Sequence, residues 1–201
     1  MAAPGTDQRS ADILDRVRLA FAEKGFDGAS MQDLARAAGM SVGNFYRYFP
    51  SKAAIIEALI ARDMHEIEQD FHAITRSADA RAALREVIVR RVAGAPCAWD
   101  AAIMAEITAA AFRKPEVAAI ARQMEDSVTS YMTATFAQIT GLSPEACAHR
   151  FEGHARLIIM LVKATLCDTG HEPARRADLT DLVLRNIDRT LDDVVADGSR
   201  G

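Results

Sequence analysis

Residues 30–52 read SMQDLARAAGMSVGNFYRYFPSK, and this stretch decides the fold of the N-terminal region. Ser30 opens a short helix, with Asp33 supplying negative charge to its first turn. Leu34, Ala35 and Ala38 fall on one inward face. Gly39 ends that helix, and Met40 plugs the turn into the core. Ser41 caps a second short helix from Val42 to about Tyr48, which the Phe49-Pro50-Ser51 sequence breaks. Two short helices joined by a glycine turn can lay the second helix in the major groove of DNA. Leu34, Ala38, Met40 and Phe45 form the small apolar set that would fix the pair, while Ala35 and Gly39 permit close approach.

The outward residues of the second helix carry the chemistry for such docking. Ser41, Tyr46 and Lys52 can donate to phosphate oxygens. Asn44 can pair bidentately with adenine, and Arg47 can reach guanine or a phosphate. Val42 and Gly43 leave little bulk at the N-terminal end of this helix, which allows close backbone approach or contact with a thymine methyl. Gln32 is placed to meet a phosphate or a flanking base. Through the first helix, LAFAEKGFDGAS, and on through MQDLARAAGMSVGNFYRYFPSKAAIIEAL, the sequence resembles the DNA-binding domain of TetR-family transcriptional regulators. The resemblance covers about 50 residues, with Tyr46, Phe49 and Lys52 at their expected places and Tyr48 where a histidine is frequent. It implies phosphate contacts from Ser41, Tyr46, Tyr48 and Lys52, and base reading by Val42, Gly43 and Asn44 with support from Gln32.

Working outward, a helix is predicted from about Ser10 to Lys24, with Ile13, Val17, Ala20 and Phe21 on its apolar side and Gly25 as its cap. Residues through about Asp7 are expected to be disordered. Ser51 caps a long helix running almost to Arg76, carrying Ile56, Leu59, Ile60, Ile67, Phe71 and Ile74. Five more helices are predicted over about 79–94, 98–112, 115–138, 144–168 and 176–196, with a frayed tail from Asp197. The fold class is therefore all-α, with about nine helices. The expected division is a helix-turn-helix DNA-binding domain over residues 1–50 and a helical ligand-binding and dimerisation domain over 51–201, with 51–75 as connector.

Composition agrees with that class. Half the residues are hydrophobic and 26% are charged, as in an ordinary globular chain. The formal net charge of −4 argues against a protein that binds nucleic acid over its whole surface. Residues 1–52 carry seven basic and six acidic side chains, one net positive charge. DNA contact must then rest on the local placement of a few cations, hydroxyls and helix ends. No apolar run approaches the ~20 residues that span a bilayer, and the N-terminus lacks an apolar signal core. Cys97, Cys147 and Cys167 form neither a disulfide framework nor a CxxC site and read as buried small hydrophobes. A cytoplasmic protein is expected.

The resemblance also implies a homodimer with a helical effector domain. One apolar stripe, Phe151, Ala155, Ile158, Val162 and Leu166, and another, Leu179, Leu182, Val183, Ile187, Leu191 and Val194, are the expected dimer surface, packing as a four-helix bundle across a twofold axis. The expected pocket wall consists of Trp99, Met104, Ile107, Phe112, Met124, Val128, Tyr131, Met132, Phe136 and Met160, with polar contacts from Glu106, Tyr131 and His154. Ordinary core packing is the competing reading of each. Cys147, His149 and His154 lack the spacing that sets two histidines on one helix face, so no metal site is predicted. No phosphate loop, nucleophile elbow or paired-carboxylate signature is present, and neither a cofactor nor catalysis is expected. The predicted function is a ligand-responsive repressor of a palindromic operator, with operator DNA, a small apolar or amphipathic effector and a second copy of the chain as partners. The alternatives are a helical binding or catalytic bundle that no longer binds DNA, and a DNA-binding activator.

Overall fold

The computed structural model describes the backbone of residues 4–93, 98–166 and 173–199, and the side chains of 12–93, 101–166 and 174–199. Among the described residues the chain forms nine helices and no strand. These are α1 (Pro4–Gly28), α2 (Met31–Ala37), α3 (Val42–Tyr48), α4 (Lys52–Thr75), α5 (Ala80–Ala93), α6 (Ala98–Arg113), α7 (Pro115–Thr140), α8 (Pro144–Leu166) and α9 (Pro173–Gly198). Four of them begin on proline, whose fixed φ suits the first helical position and whose missing N–H costs nothing there. That preference explains why α1 starts at Pro4, where disorder was expected. At the other end α9 runs on to Gly198, beyond the predicted fraying point. No described helix is long and apolar enough to cross a membrane.

The helices divide into two compact units. The first comprises residues 1–63 and 97–122, and the second residues 64–96 and 123–201. Both α4 and α7 pass from one unit into the other. In the first unit α1 packs against α2 and α6, and α2 packs against α3. Its core contains Ile13, Val17, Phe21, Leu34, Ala35, Phe45, Ile55, Ile56 and Leu59. The predicted inward residues of the N-terminal helices are thus buried where the helical period put them.

In the second unit α8 packs with α9, and α5 packs with both. Its core joins Phe71, Ile74, Leu84, Ile88, Met132, Phe136, Phe151, Ile158, Val183, Ile187 and Leu191. This corrects the expected dimer surface. Phe151, Ala155, Ile158, Val183 and Ile187 are buried within the protomer, and Val162 and Leu166 are half-buried. Helical spacing reports an apolar stripe but not its partner, and here α5 and α7 supply it. The large apolar residues left exposed on α8 and α9 are Leu157, Met160, Leu179 and Leu182. Two charged contacts lie along the α5–α9 seam. Arg85 grips Asp188 with two N–H groups at 2.7 and 3.0 Å, and Arg81 pairs with Asp192. Cys147 is a buried free thiol, while Cys97 and Cys167 lie outside the described residues.

Candidate nucleic-acid interface

Capping chemistry builds the two short helices of this site. The Ser30 hydroxyl accepts from the Asp33 N–H at 3.1 Å, and the Asp33 carboxylate accepts from the Ser30 N–H at 3.0 Å. This reciprocal pair is a capping box. Hydrogen bonds from the Lys24 ammonium and then from Ser30 hold the Asp33 carboxyl well below the usual carboxylate range. Helix α2 ends in a Schellman turn. The Gly39 N–H reaches the Arg36 carbonyl at 3.0 Å, and the Met40 N–H reaches the Ala35 carbonyl at 2.9 Å. The turn requires φ of +69° at residue 39, which glycine adopts without strain.

The Ser41 hydroxyl then accepts from the Asn44 N–H and starts α3. Its own proton stays free to donate. Phe45 is fully buried, and its ring lies 5.3 Å from that of Phe49, which is also buried. With the helix anchored on that side, Val42, Gly43, Tyr46 and Arg47 are exposed. These positions share one face, because residues one turn apart align on a helix. Tyr46 is 48% exposed, enough for its hydroxyl to meet an external partner. Asn44 is half-buried at the flank of this face, and Tyr48 is exposed with its ring 6.4 Å from Phe49. Gln32 is exposed in the first turn of α2.

Lys52 is placed differently from the sequence expectation. Its ammonium donates to the backbone carbonyls of Phe26 at 2.6 Å and Asp27 at 3.2 Å, and stands 5.2 Å from the centre of the Phe26 ring. A cation is favoured there because two backbone carbonyls converge on it and an aromatic ring lies beside it. One N–H of Lys52 is left for a phosphate, and the residue mainly ties α4 to α1.

The segment it holds is a sharp elbow. Gly25 has φ 72° and ψ 165°, a combination that only glycine adopts readily. The elbow turns the Phe26 N–H toward Glu106 of α6, whose carboxylate accepts it at 2.7 Å. A Cβ on Gly25 would lie 3.2 Å from that carboxylate. Arg113 and Lys114 pair with Asp27 at 2.9 and 3.4 Å. Glu106, expected as a polar contact for an effector, therefore holds the elbow near the C-terminal end of α1. Replacing Gly25 with alanine forces a strained backbone and crowds Glu106, at a cost of about 1–3 kcal/mol. A thermal melt should show a midpoint several degrees lower, and an unchanged midpoint would show that the elbow tolerates a side chain.

The remaining pocket candidates are divided between the two units. Met104, Ile107 and Phe112 belong to the first unit, with Ile107 buried and Phe112 88% exposed. Met124, Val128, Tyr131, Met132, Phe136, His154 and Met160 belong to the second. Met132 and Phe136 are buried in its core, Val128 and Tyr131 pack against that core, and Met160 is 62% exposed. The side chain of Trp99 lies outside the described residues.

Residues 13–59 match the sequence model of the family described as bacterial regulatory proteins, tetR family. Residues 13–59 are thus similar to the DNA-binding segment of that family. It is 30% identical over 120 residues to the HTH-type transcriptional regulator UidR of Escherichia coli K12, a match covering 60% of each chain. Salmonella enterica GusR has a similar structure, with a TM-score of 0.73 and 26% identity over 92% of this chain and 96% of that one. AibR shares the fold, with a TM-score of 0.63 at 17% identity over 89% of this chain and 97% of its own. The matched segment begins inside α1 and ends inside α4, so it contains the capping box, the Gly39 turn and the whole of α3.

Proposed function

We propose that this chain is a TetR-family, cytoplasmic homodimeric repressor. It binds a palindromic operator through α3 and is released by a small apolar or amphipathic molecule. The observation that carries the reading is the exposed face of Val42, Gly43, Tyr46 and Arg47 on a helix pinned from behind by buried Phe45. Such a face offers small residues for close approach to bases and polar ends for phosphates. The membership of UidR among the relatives supports transcriptional control. AibR, which has the same fold, is known in complex with isovaleryl coenzyme A and operator DNA. That complex supports an effector with an apolar acyl part for this chain as well.

Dimerisation is assigned to the exposed residues Leu157 and Met160 of α8 and Leu179 and Leu182 of α9. Gly153 and Ala164 lie on the same face of α8 and leave room for a facing helix. Residues 1–50 would bind DNA, residues 51–75 would connect, and the rest would bind effector and partner. Release requires a dimer state whose two reading helices no longer fit successive major grooves, ~34–36 Å apart. The effector must favour that state, because equal affinity for both states shifts nothing.

Selection of bound sites from randomised DNA by the purified protein tests this reading. A palindrome with two half-sites is expected. No enrichment at low salt, from folded protein, would remove DNA binding from the account. On the selected site, Tyr46→Ala should cost about 1 kcal/mol per half-site, the net worth of one hydrogen bond. Its affinity should fall evenly across related sequences, since a phosphate contact reads none of them. A gel-shift titration giving wild-type affinity would remove Tyr46 from the interface.

A further inference from the structure

Most cations of the first unit are already engaged within the protein. Arg18 pairs with Asp63, Lys24 with Asp33, Arg62 with Asp15, and Arg113 and Lys114 with Asp27. Lys52 is bound to backbone carbonyls. Among the described residues, Arg16, Arg47 and Arg122 of this unit are exposed and make no ion pair, Arg122 standing at the end of the unit's second segment on α7. Arg47 lies on the reading face. Arg16 lies 31 positions earlier, in the middle of α1.

The position of Arg16 is specific. Its Nη1 atom stands 3.3 Å from the point where a Cβ on Gly39 would lie. The glycine that makes the turn into the reading helix thus also leaves the gap in which this guanidinium stands. Two residues further on is Ser41, whose hydroxyl retains a proton to donate. The stem of Arg16 rises from a long helix packed against α2 and α6, so the charge is held at the turn by a rigid element. Asp12, one turn away on α1, is exposed and does not pair with it.

We infer that Arg16 is a further DNA-binding residue, which places its guanidinium on a backbone phosphate beside the turn of the helix-turn-helix. The inference rests on the DNA-binding reading above. It adds a contact from α1 that lies outside the helix-turn-helix sequence. A nearly neutral unit with few uncommitted cations depends heavily on each of them for electrostatic attraction to DNA.

The salt dependence of binding tests this directly. Each phosphate neutralised on duplex DNA contributes ~0.9 to the slope of log affinity against log salt, so one Arg16 from each protomer contributes ~1.8. With a duplex carrying the selected palindrome, Arg16→Gln should lower affinity at low salt and make that slope shallower by this amount. Between 50 and 200 mM salt, the variant should then lose about 12-fold less affinity than wild type. Arg16→Lys keeps the charge and should keep the wild-type slope. Wild-type binding with an unaltered slope in Arg16→Gln would overturn the inference alone. So would a shallower slope that lysine does not restore, because that pattern reports a disturbed fold. Absence of wild-type binding at low salt would instead overturn the DNA-binding reading on which the inference stands.

Discussion

Phe45→Ala is expected to destabilise the N-terminal unit by about 3–5 kcal/mol, the range for removing a buried aromatic ring. The side chain is fully buried and stacks at a tilt on Phe49, which caps the C-terminal end of α3. A seven-residue helix has no stability of its own in water, since nucleation outweighs so few hydrogen bonds. Helix α3 therefore persists only because tertiary contacts hold it, and Phe45 is the residue of α3 that is buried. Loss of the ring should release the reading face as well as lower stability. Calorimetry or circular dichroism would detect the fall in stability, and binding to the selected palindrome should be lost with it. A variant that melts like wild type would show that the helix is anchored elsewhere.

The second large effect is expected from Leu182→Arg. Leu182 is 49% exposed on α9, beside Leu179 and one position before buried Val183. Burying a charge at the centre of the proposed dimer interface should cost at least ~2 kcal/mol per protomer, the level of an interface hot spot. Two copies then weaken the dimer by about a thousandfold. Sedimentation should find monomers with intact helical content. Half-sites joined only through the dimer would lose most of their combined affinity. Val183→Arg provides the contrast, because it should unfold the protomer rather than divide the dimer. An intact Leu182→Arg dimer would move the interface off this face.

These two tests mark where sequence reading succeeded and where it stopped. Helix ends were readable because local chemistry fixes them. Ser30, Ser41 and Ser51 cap by their own hydroxyls, and Gly25 and Gly39 take backbone angles that other residues resist. The buried sides of α1 to α4 were readable from the helical period. The destination of a stripe was not, because Phe151 and Leu157 are both apolar and only the presence of α5 and α7 decides which is covered. Tertiary use of polar groups was equally silent. Glu106 accepts an N–H from Phe26, 80 positions earlier, and nothing around either residue announces the pairing. Lys52 was recognised as important from its place in the motif, but its two carbonyl partners on α1 were not. Arg16 was missed because its relation to the turn spans 23 positions and depends on how α1 packs.

The order of synthesis has a bearing on the elbow at Gly25. Its acceptor, Glu106, and the partners of Asp27 reside in α6 and at Lys114, which the chain supplies only after passing through residues 64–96. At ~5–20 residues per second, translation takes roughly 3–10 seconds to go from the end of the first segment to the end of α6. During that interval the entire helix-turn-helix exists as polypeptide while the Phe26 amide and the Asp27 carboxylate still lack the groups that secure them. The first unit thus matures late in translation, after the beginning of its neighbour has already emerged, and residues 1–63 expressed alone would stop at that unfinished stage.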